Sequence, residues 1–253
     1  MTVYYERIGE GPTLFLLHAT LSSSRQLRAL AARLAESHTV VSVDRLGSGR
    51  STHDGPAQPI DAAVHVADLV DIAQREGMGR PAVVGHSYGG CLALELAARH
   101  PELVRGVFAY EPPYATVASG EVQAGIAEIG RRTLAARDEG GLADAALTFM
   151  EGVSGAEAVA GLSLAARTRI GLAGQGAVAD ATLSGMDPEG LTRIDCPVRI
   201  ATGGASQPVY VEIAQGLVRR IDGAEHVRLA ELDHMAPVVR PDAIVAAVEA
   251  FLA

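Results

Sequence analysis

Ser87 is the residue of this 253-residue chain best placed to do covalent chemistry. It sits in the run Pro81-Ala82-Val83-Val84-Gly85-His86-Ser87-Tyr88-Gly89-Gly90, where an apolar strand ends at Gly85 and an apolar helix starts at Gly90. A serine hydroxyl is a weak nucleophile until it is lifted clear of the main chain and given a base. Glycines on either side allow the sharp strand-to-helix turn that does the lifting. The pattern G-x-S-x-G is that of a nucleophile elbow. At this glycine and serine content it would arise by chance roughly 0.15 times in such a chain. The strand before it and the helix after it therefore carry the signal, and an ordinary turn with a satisfied hydroxyl is the alternative.

Other chemistries are excluded by composition. The chain has no Lys, so its 21 basic residues are all Arg, and a Schiff-base lysine, a P-loop lysine and a Ser-Lys dyad are ruled out. Cys91 and Cys196 belong to no C-x-x-C or Cys/His cluster, which argues against a zinc site or a redox motif. No cofactor and no metal are expected. The net charge of −9 argues against nucleic acid and anionic membranes as partners. No charged-then-apolar leader and no membrane-length apolar run is present, so a soluble, cytoplasmic protein is expected.

The elements that must position Ser87 follow from periodicity. Strands are predicted at 13–17, 40–43, 82–84, 104–110, 198–201 and 226–229, where short, mainly apolar runs stand between amphipathic segments. Helices separate them. One is predicted over 26–35, with Leu27, Leu30, Ala31 and Leu34 on one face and Ser22 to Ser24 as candidate caps. Another spans 60–76, with Ile60, Ala63, Val64, Ala67 and Val70 read as the buried face. The last covers 242–252. Continuously apolar strands alternating with helices predict an α/β fold: a mostly parallel sheet of about seven strands, covered on both faces. Residues 116–191 have helical periodicity only, with segments near 122–137, 142–151, 156–169 and 177–184. They are read as a helical cap inserted into a core made of 1–115 and 192–253.

In order, the chain carries His18 after its first strand, Asp44-Arg45-Leu46-Gly47-Ser48-Gly49-Arg50-Ser51, the Ser87 elbow, and a late Asp233-His234. On these motifs it resembles the α/β-hydrolase superfamily over nearly its whole length. The resemblance implies Ser87 as nucleophile and a base on a loop after the final strand, which matches His234. The remaining His residues are placed elsewhere: His38, His53, His65 and His100 in loops or on solvent-facing helix positions, His86 inside the elbow and His226 at a strand start. Most members of the superfamily carry an Asp just after the strand at 198–201, but this chain reads Thr202-Gly203-Gly204-Ala205-Ser206-Gln207 there. A second arrangement in the superfamily takes the carboxylate from the end of the strand after the elbow helix, where Glu111 precedes Pro112-Pro113. Glu111 is therefore the expected acid, with Asp195, Glu212 or no acid as alternatives.

The resemblance further implies an oxyanion hole from the N–H of Tyr88 and one in the loop His18-Ala19-Thr20-Leu21, by position Thr20. Relatives usually read His-Gly there. Ala19 removes that freedom and requires ordinary φ at this point. The Thr20 hydroxyl is read as able to point into the pocket. Ala19, Tyr110, Tyr114, Phe149, Met150, Met186 and Met235 are candidate pocket residues, suited to a small, largely apolar substrate. The expected activity is cofactor-free hydrolysis of a carboxylic ester or lactone through an acyl-enzyme. C–C bond hydrolysis, perhydrolysis, cofactor-independent oxygenation, or a binding protein with slow or absent catalysis are the alternatives. Monomer and homodimer are both open.

Overall fold

The computed structural model describes residues 3–52, 55–183 and 185–253. Seven strands form one sheet: β1 (Tyr5–Ile8), β2 (Thr13–Leu17), β3 (Thr39–Val43), β4 (Ala82–His86), β5 (Gly106–Tyr110), β6 (Val198–Gly203) and β7 (Glu225–Leu229). Their spatial order is β1-β3-β2-β4-β5-β6-β7. Every pairing is parallel except that of β1 with β3. The edge strand β1 was not anticipated from periodicity. It has four residues, none fully buried, so it lacks the apolar run that marks the central strands.

Eleven helices are present among the described residues: α1 (Arg28–Leu34), α2 (Ala62–Arg75), α3 (Tyr88–Arg99), α4 (Gly120–Gly140), α5 (Leu142–Ser154), α6 (Ala156–Ala160), α7 (Leu164–Gly171), α8 (Gly174–Asp180), α9 (Pro208–Arg220), α10 (Ala236–Val239) and α11 (Pro241–Leu252). The continuous apolar strands are explained by two cores. Phe15, Leu17, Val41, Val43, Val83 and Val107 face α2, α3 and α9 on one side. Leu14, Leu16, Val40, Val84 and Phe108 face α1, α10 and α11 on the other. Successive strand residues point to opposite faces, so a sheet buried on both sides must be apolar at every position. No helix among the described residues is long and apolar enough to cross a membrane.

Three helix expectations need correction. The buried face of α2 is Ala62, His65, Val66, Leu69, Ile72 and Ala73, not the expected one: Ala63, Val64 and Ala67 are exposed. Two apolar stripes lie side by side on this helix. Packing against α3 selects the stripe carrying His65, so His65 is buried rather than solvent-facing. His38 is buried as well, and His53 lies outside the described residues. The start of α1 has no side-chain cap, so Ser22 to Ser24 do not act as one. The expected helix over 156–169 is two helices. The Ser163 side chain accepts from Ala166 N–H and caps a new start at α7.

Between β5 and β6 the chain runs through α4 to α8 with no strand among the described residues. The last residue of the expected helix over 177–184, Ser184, lies outside the described residues, and α8 closes at Asp180. Helix α8 is buried at every residue but Gln175, and it lies against the loop after β3. A Cβ on Gly176 would stand 2.7 Å from Ser48 Oγ, so a larger residue there would require the Ser48 side chain to move.

Candidate active site

The C-terminal ends of the parallel strands converge on one point, where open α/β sheets bind ligands. Ser87 follows β4 with φ 53° and ψ −122°, outside the ordinary helical and extended regions. The main chain tolerates this because Gly85 and Gly89 allow strand and helix to close up. A Cβ on Gly85 would lie 2.3 Å from Gly89 O, and one on Gly89 would lie 2.4 Å from Leu17 O. Ser87 N–H donates to Tyr110 O at 2.8 Å, which ties the turn to β5. Tyr88 is the first residue of α3, so its N–H has no intrahelical acceptor and points out of the helix end.

Glu111 leaves the end of β5 with φ 49° and is completely buried. Its Oε2 lies 2.7 Å from His234 Nδ1, and its Oε1 accepts the Gly203 N–H at 2.7 Å. Gly203 closes β6, just before the turn where the resemblance implies an Asp. The end of β6 here supplies a donor to the carboxylate from the neighbouring strand. Asp195 is exposed before β6, at the opposite end of the sheet, and Glu212 on α9 accepts from Ser119 N–H at 2.8 Å. Neither makes a described contact with His234.

His234 lies on the loop after β7, and its main chain is fixed independently of Glu111. His86 Nε2–H donates to His234 O at 2.8 Å, and the Tyr110 hydroxyl donates to Asp233 O at 2.7 Å. The imidazole is flanked by rings: Tyr210 stacks on it at 4.7 Å and 11°, and His86 lies at 4.9 Å. Burial holds the His86 pKa well below that of a free imidazole, so His86 is a neutral donor. With the proton on Nδ1 directed to Glu111, His234 Nε2 is the nitrogen able to accept one.

Ser87, Tyr88, Thr20 and His234 line one cavity of about 990 Å³. Ala19, Met150, Met235 and Phe149 also line it, as do Val122, Ile126 and Ile129 of α4. Tyr110, Tyr114 and Met186 do not. Tyr110 is turned to the Asp233 carbonyl, the buried Tyr114 hydroxyl donates to Glu95, and Met186 packs against the core beside α3. The cysteines are buried too. Burial pushes the Cys91 thiol well above its usual pKa and that of Cys196 up to about 11, so neither is a poised thiolate.

The loop Ala19-Thr20 is held by a buried ion pair that sequence reading did not find. Arg45, after β3, donates to both carboxylate oxygens of Asp180 at 2.9 and 2.8 Å. The Thr20 hydroxyl donates to Asp180 Oδ2 at 2.7 Å, so it is engaged rather than free in the pocket. Ala19 keeps ordinary φ, and the left-handed residue of the loop is Leu21 at 58°. Arg45 and Asp180 are separated by 135 residues, a distance at which periodicity and local motifs carry no signal. Tyr210 was missed for the same reason: nothing near it in sequence marks it as a partner of His234.

Residues 14–247 match the model of the alpha/beta hydrolase family. The chain belongs to the alpha/beta hydrolase family. An alpha/beta hydrolase from Sphaerobacter thermophilus superposes with a TM-score of 0.78 at 28% identity, covering 99% of this chain and 96% of that one. Among curated relatives, the 2-(acetamidomethylene)succinate hydrolase of Mesorhizobium japonicum is 31% identical over 115 residues, 45% of this chain and 41% of its own. The 2-hydroxymuconate semialdehyde hydrolase of Pseudomonas sp. strain CF600 is 36% identical over 105 residues, 38% of this chain and 35% of its own. The matched stretch thus spans about two fifths or less of each curated relative.

Proposed function

We propose that the protein is a serine hydrolase cleaving a neutral carboxylic ester or lactone through an acyl-enzyme, using side chains alone. The observation that carries this reading is the contact of buried Glu111 with His234 Nδ1 at 2.7 Å, where His234 and Ser87 line the same cavity. In this reading His234 Nε2 removes the Ser87 proton as Oγ attacks the acyl carbon. Glu111 keeps the imidazole in the required tautomer and offsets the charge of the imidazolium. The Tyr88 and Thr20 N–H groups receive the developing oxyanion. The imidazolium protonates the leaving alkoxide, and an acyl-Ser87 ester remains. Water, deprotonated by His234, then attacks it, and the acid and free Ser87 are released.

The substrate class follows from the cavity. At about 990 Å³ it suits a medium or large molecule, and Val122, Ile126, Ile129 and Phe149 offer an apolar wall. Its charged lining is mainly acidic: Glu121, Glu128, Glu151, Glu212 and Asp180 against Arg132. Arg132 is already paired with Glu151 at 2.7 Å. Asp180 and Glu128 are likewise paired, with Arg45 and Arg131, so a carboxylate-bearing substrate, such as the names of the two curated relatives indicate for those proteins, would find no spare cation here and would face Glu121 and Glu212. Residues 116–191 would act as the cap over this cavity.

The test is a panel of neutral and anionic esters together with a fluorophosphonate probe. The wild type is expected to be labelled at Ser87 and to turn over neutral esters, while Ser87→Ala does neither. Intact turnover in Ser87→Ala would sink the assignment, and so would a preference for anionic substrates sink the substrate class.

A further inference from the structure

The function proposed above needs two N–H groups aimed at one oxygen. One of them, at Tyr88, is fixed by the helix start. The other lies in a loop whose usual glycine is replaced by Ala19, and whose next residue but one, Leu21, adopts φ 58°. A loop with a non-glycine residue in the left-handed region keeps its shape only when its surroundings hold it there.

The surroundings are the groups around Arg45. Its guanidinium donates from Nε to His18 O at 3.3 Å and from Nη2 to Ala19 O at 3.4 Å. Its main-chain N–H donates to His18 Nε2 at 3.1 Å, and His18 Nδ1 lies 2.7 Å from Ala19 O. Burial holds the His18 pKa well below that of a free imidazole, consistent with a neutral ring with its proton on Nδ1. From the other side, Asp180 accepts the Thr20 hydroxyl and both arms of Arg45. Arg45 and Asp180 are each almost fully buried. The same guanidinium lies 4.7 Å over the ring of Tyr88, the residue bearing the other N–H.

We propose that the Arg45–Asp180 pair is a positioning device for the oxyanion hole, which aims the Thr20 N–H only while α8 is docked on the loop after β3. Arg45 and Asp180 are positioning residues: their contacts run to the loop and to Tyr88. Asp180 belongs to α8, within the helices between β5 and β6, so the loop takes its shape partly from a segment outside the sheet. The role rests on the serine-hydrolase reading.

The pair can be replaced without leaving an orphan charge. In Arg45→Met/Asp180→Leu both charges go together, which buried pairs commonly tolerate in stability. Thr20→Val removes the hydroxyl contact and leaves the pair intact. Three quantities are read on each folded variant: kcat, KM, and affinity for an alkyl trifluoromethyl ketone, whose Ser87 adduct carries an oxyanion. The double variant is expected to lose about 10- to 100-fold in kcat, with KM within twofold and inhibitor affinity falling by the same factor as kcat. Thr20→Val is expected to move the same two quantities in the same direction, by less. A folded double variant with kcat and inhibitor affinity within twofold of wild type would overturn the role. So would a loss confined to KM. If the double variant fails to fold, Thr20→Val decides by the same criterion. Wild-type protein that is neither labelled at Ser87 nor active on esters is a different outcome: it overturns the serine-hydrolase reading itself, and this role with it.

Discussion

Replacing Glu111 by Gln isolates what its charge does. The side chain is fully buried and serves two donors, Gly203 N–H and His234 Nδ1–H, one on each oxygen. A carboxamide has one acceptor for two donors. If its oxygen faces Gly203, its NH2 faces Nδ1, and the imidazole must carry its proton on Nε2, where it cannot act as a base. If the oxygen faces His234, the NH2 opposes the Gly203 N–H and leaves a buried main-chain donor unsatisfied, at about 1–3 kcal/mol. The first arrangement wins because an imidazole can change tautomer and a peptide cannot. Restoring the working tautomer therefore costs about 2 kcal/mol, and losing the ionic partner of the imidazolium adds about 2 kcal/mol. The sum of about 4 kcal/mol corresponds to roughly a 10³-fold fall in kcat. The assay is steady-state hydrolysis of a p-nitrophenyl ester, with fluorophosphonate labelling run in parallel. KM should change little, and the melting temperature should move by only a few degrees because the side-chain volume is kept. A Glu111→Gln protein that retains kcat within about threefold of wild type would refute the reasoning.

Two further outcomes can be checked. Burial holds His18 and His86 well below their usual pKa and pushes His65 down to about 4, so all three stay neutral when folded. Below a pH of about 6.5 the unfolded chain takes up protons that the folded one refuses, so stability is fully present above that pH and falls as pH drops. His65 alone should remove about 2 kcal/mol between pH 6.5 and 5, read by urea unfolding; a flat profile over that window would contradict the burial of these rings. Gly125 lines the cavity from within α4, and a Cβ there meets nothing within 4 Å. Gly125→Leu should stabilise the helix by up to about 1 kcal/mol and cut kcat/KM for long acyl chains at least about tenfold relative to acetyl esters; an unchanged chain-length profile would place the acyl group elsewhere.

Much of the sheet was legible because a strand buried on both faces is mainly apolar, as the central strands β2 to β6 are, while the edge strand β7 shows only through Val227 and Leu229. The edge strand β1 was not, since four half-exposed residues impose no such pattern. On α2 the sequence carries two competing stripes, and only the packing of α3 decides between them. The positions of Ser87, His234 and Glu111 were readable, whatever each one does, because each follows a strand end and chain order and spacing carry it. The candidate pocket was less so. Tyr110 and Tyr114 lie near the right strand end, but their hydroxyls are drawn to the Asp233 carbonyl and the Glu95 carboxylate. Arg45–Asp180 and Tyr210–His234 join residues distant in sequence, and such contacts leave no trace in local composition.

The loop carrying His234 takes its two anchoring hydrogen bonds from the ends of β4 and β5, through His86 and Tyr110, and neither involves a carboxylate. The imidazole is thus delivered to its place by the scaffold before any acid is chosen. A carboxylate has only to reach Nδ1, and the neighbouring ends of β5 and β6 both border that spot. A lineage could therefore gain an acid on one strand and lose it from the other while the base stayed still. With no Asp after β6, the carboxylate at Nδ1 here comes from β5, and the place of the base is set by its neighbours' main-chain geometry rather than by the strand that supplies the acid.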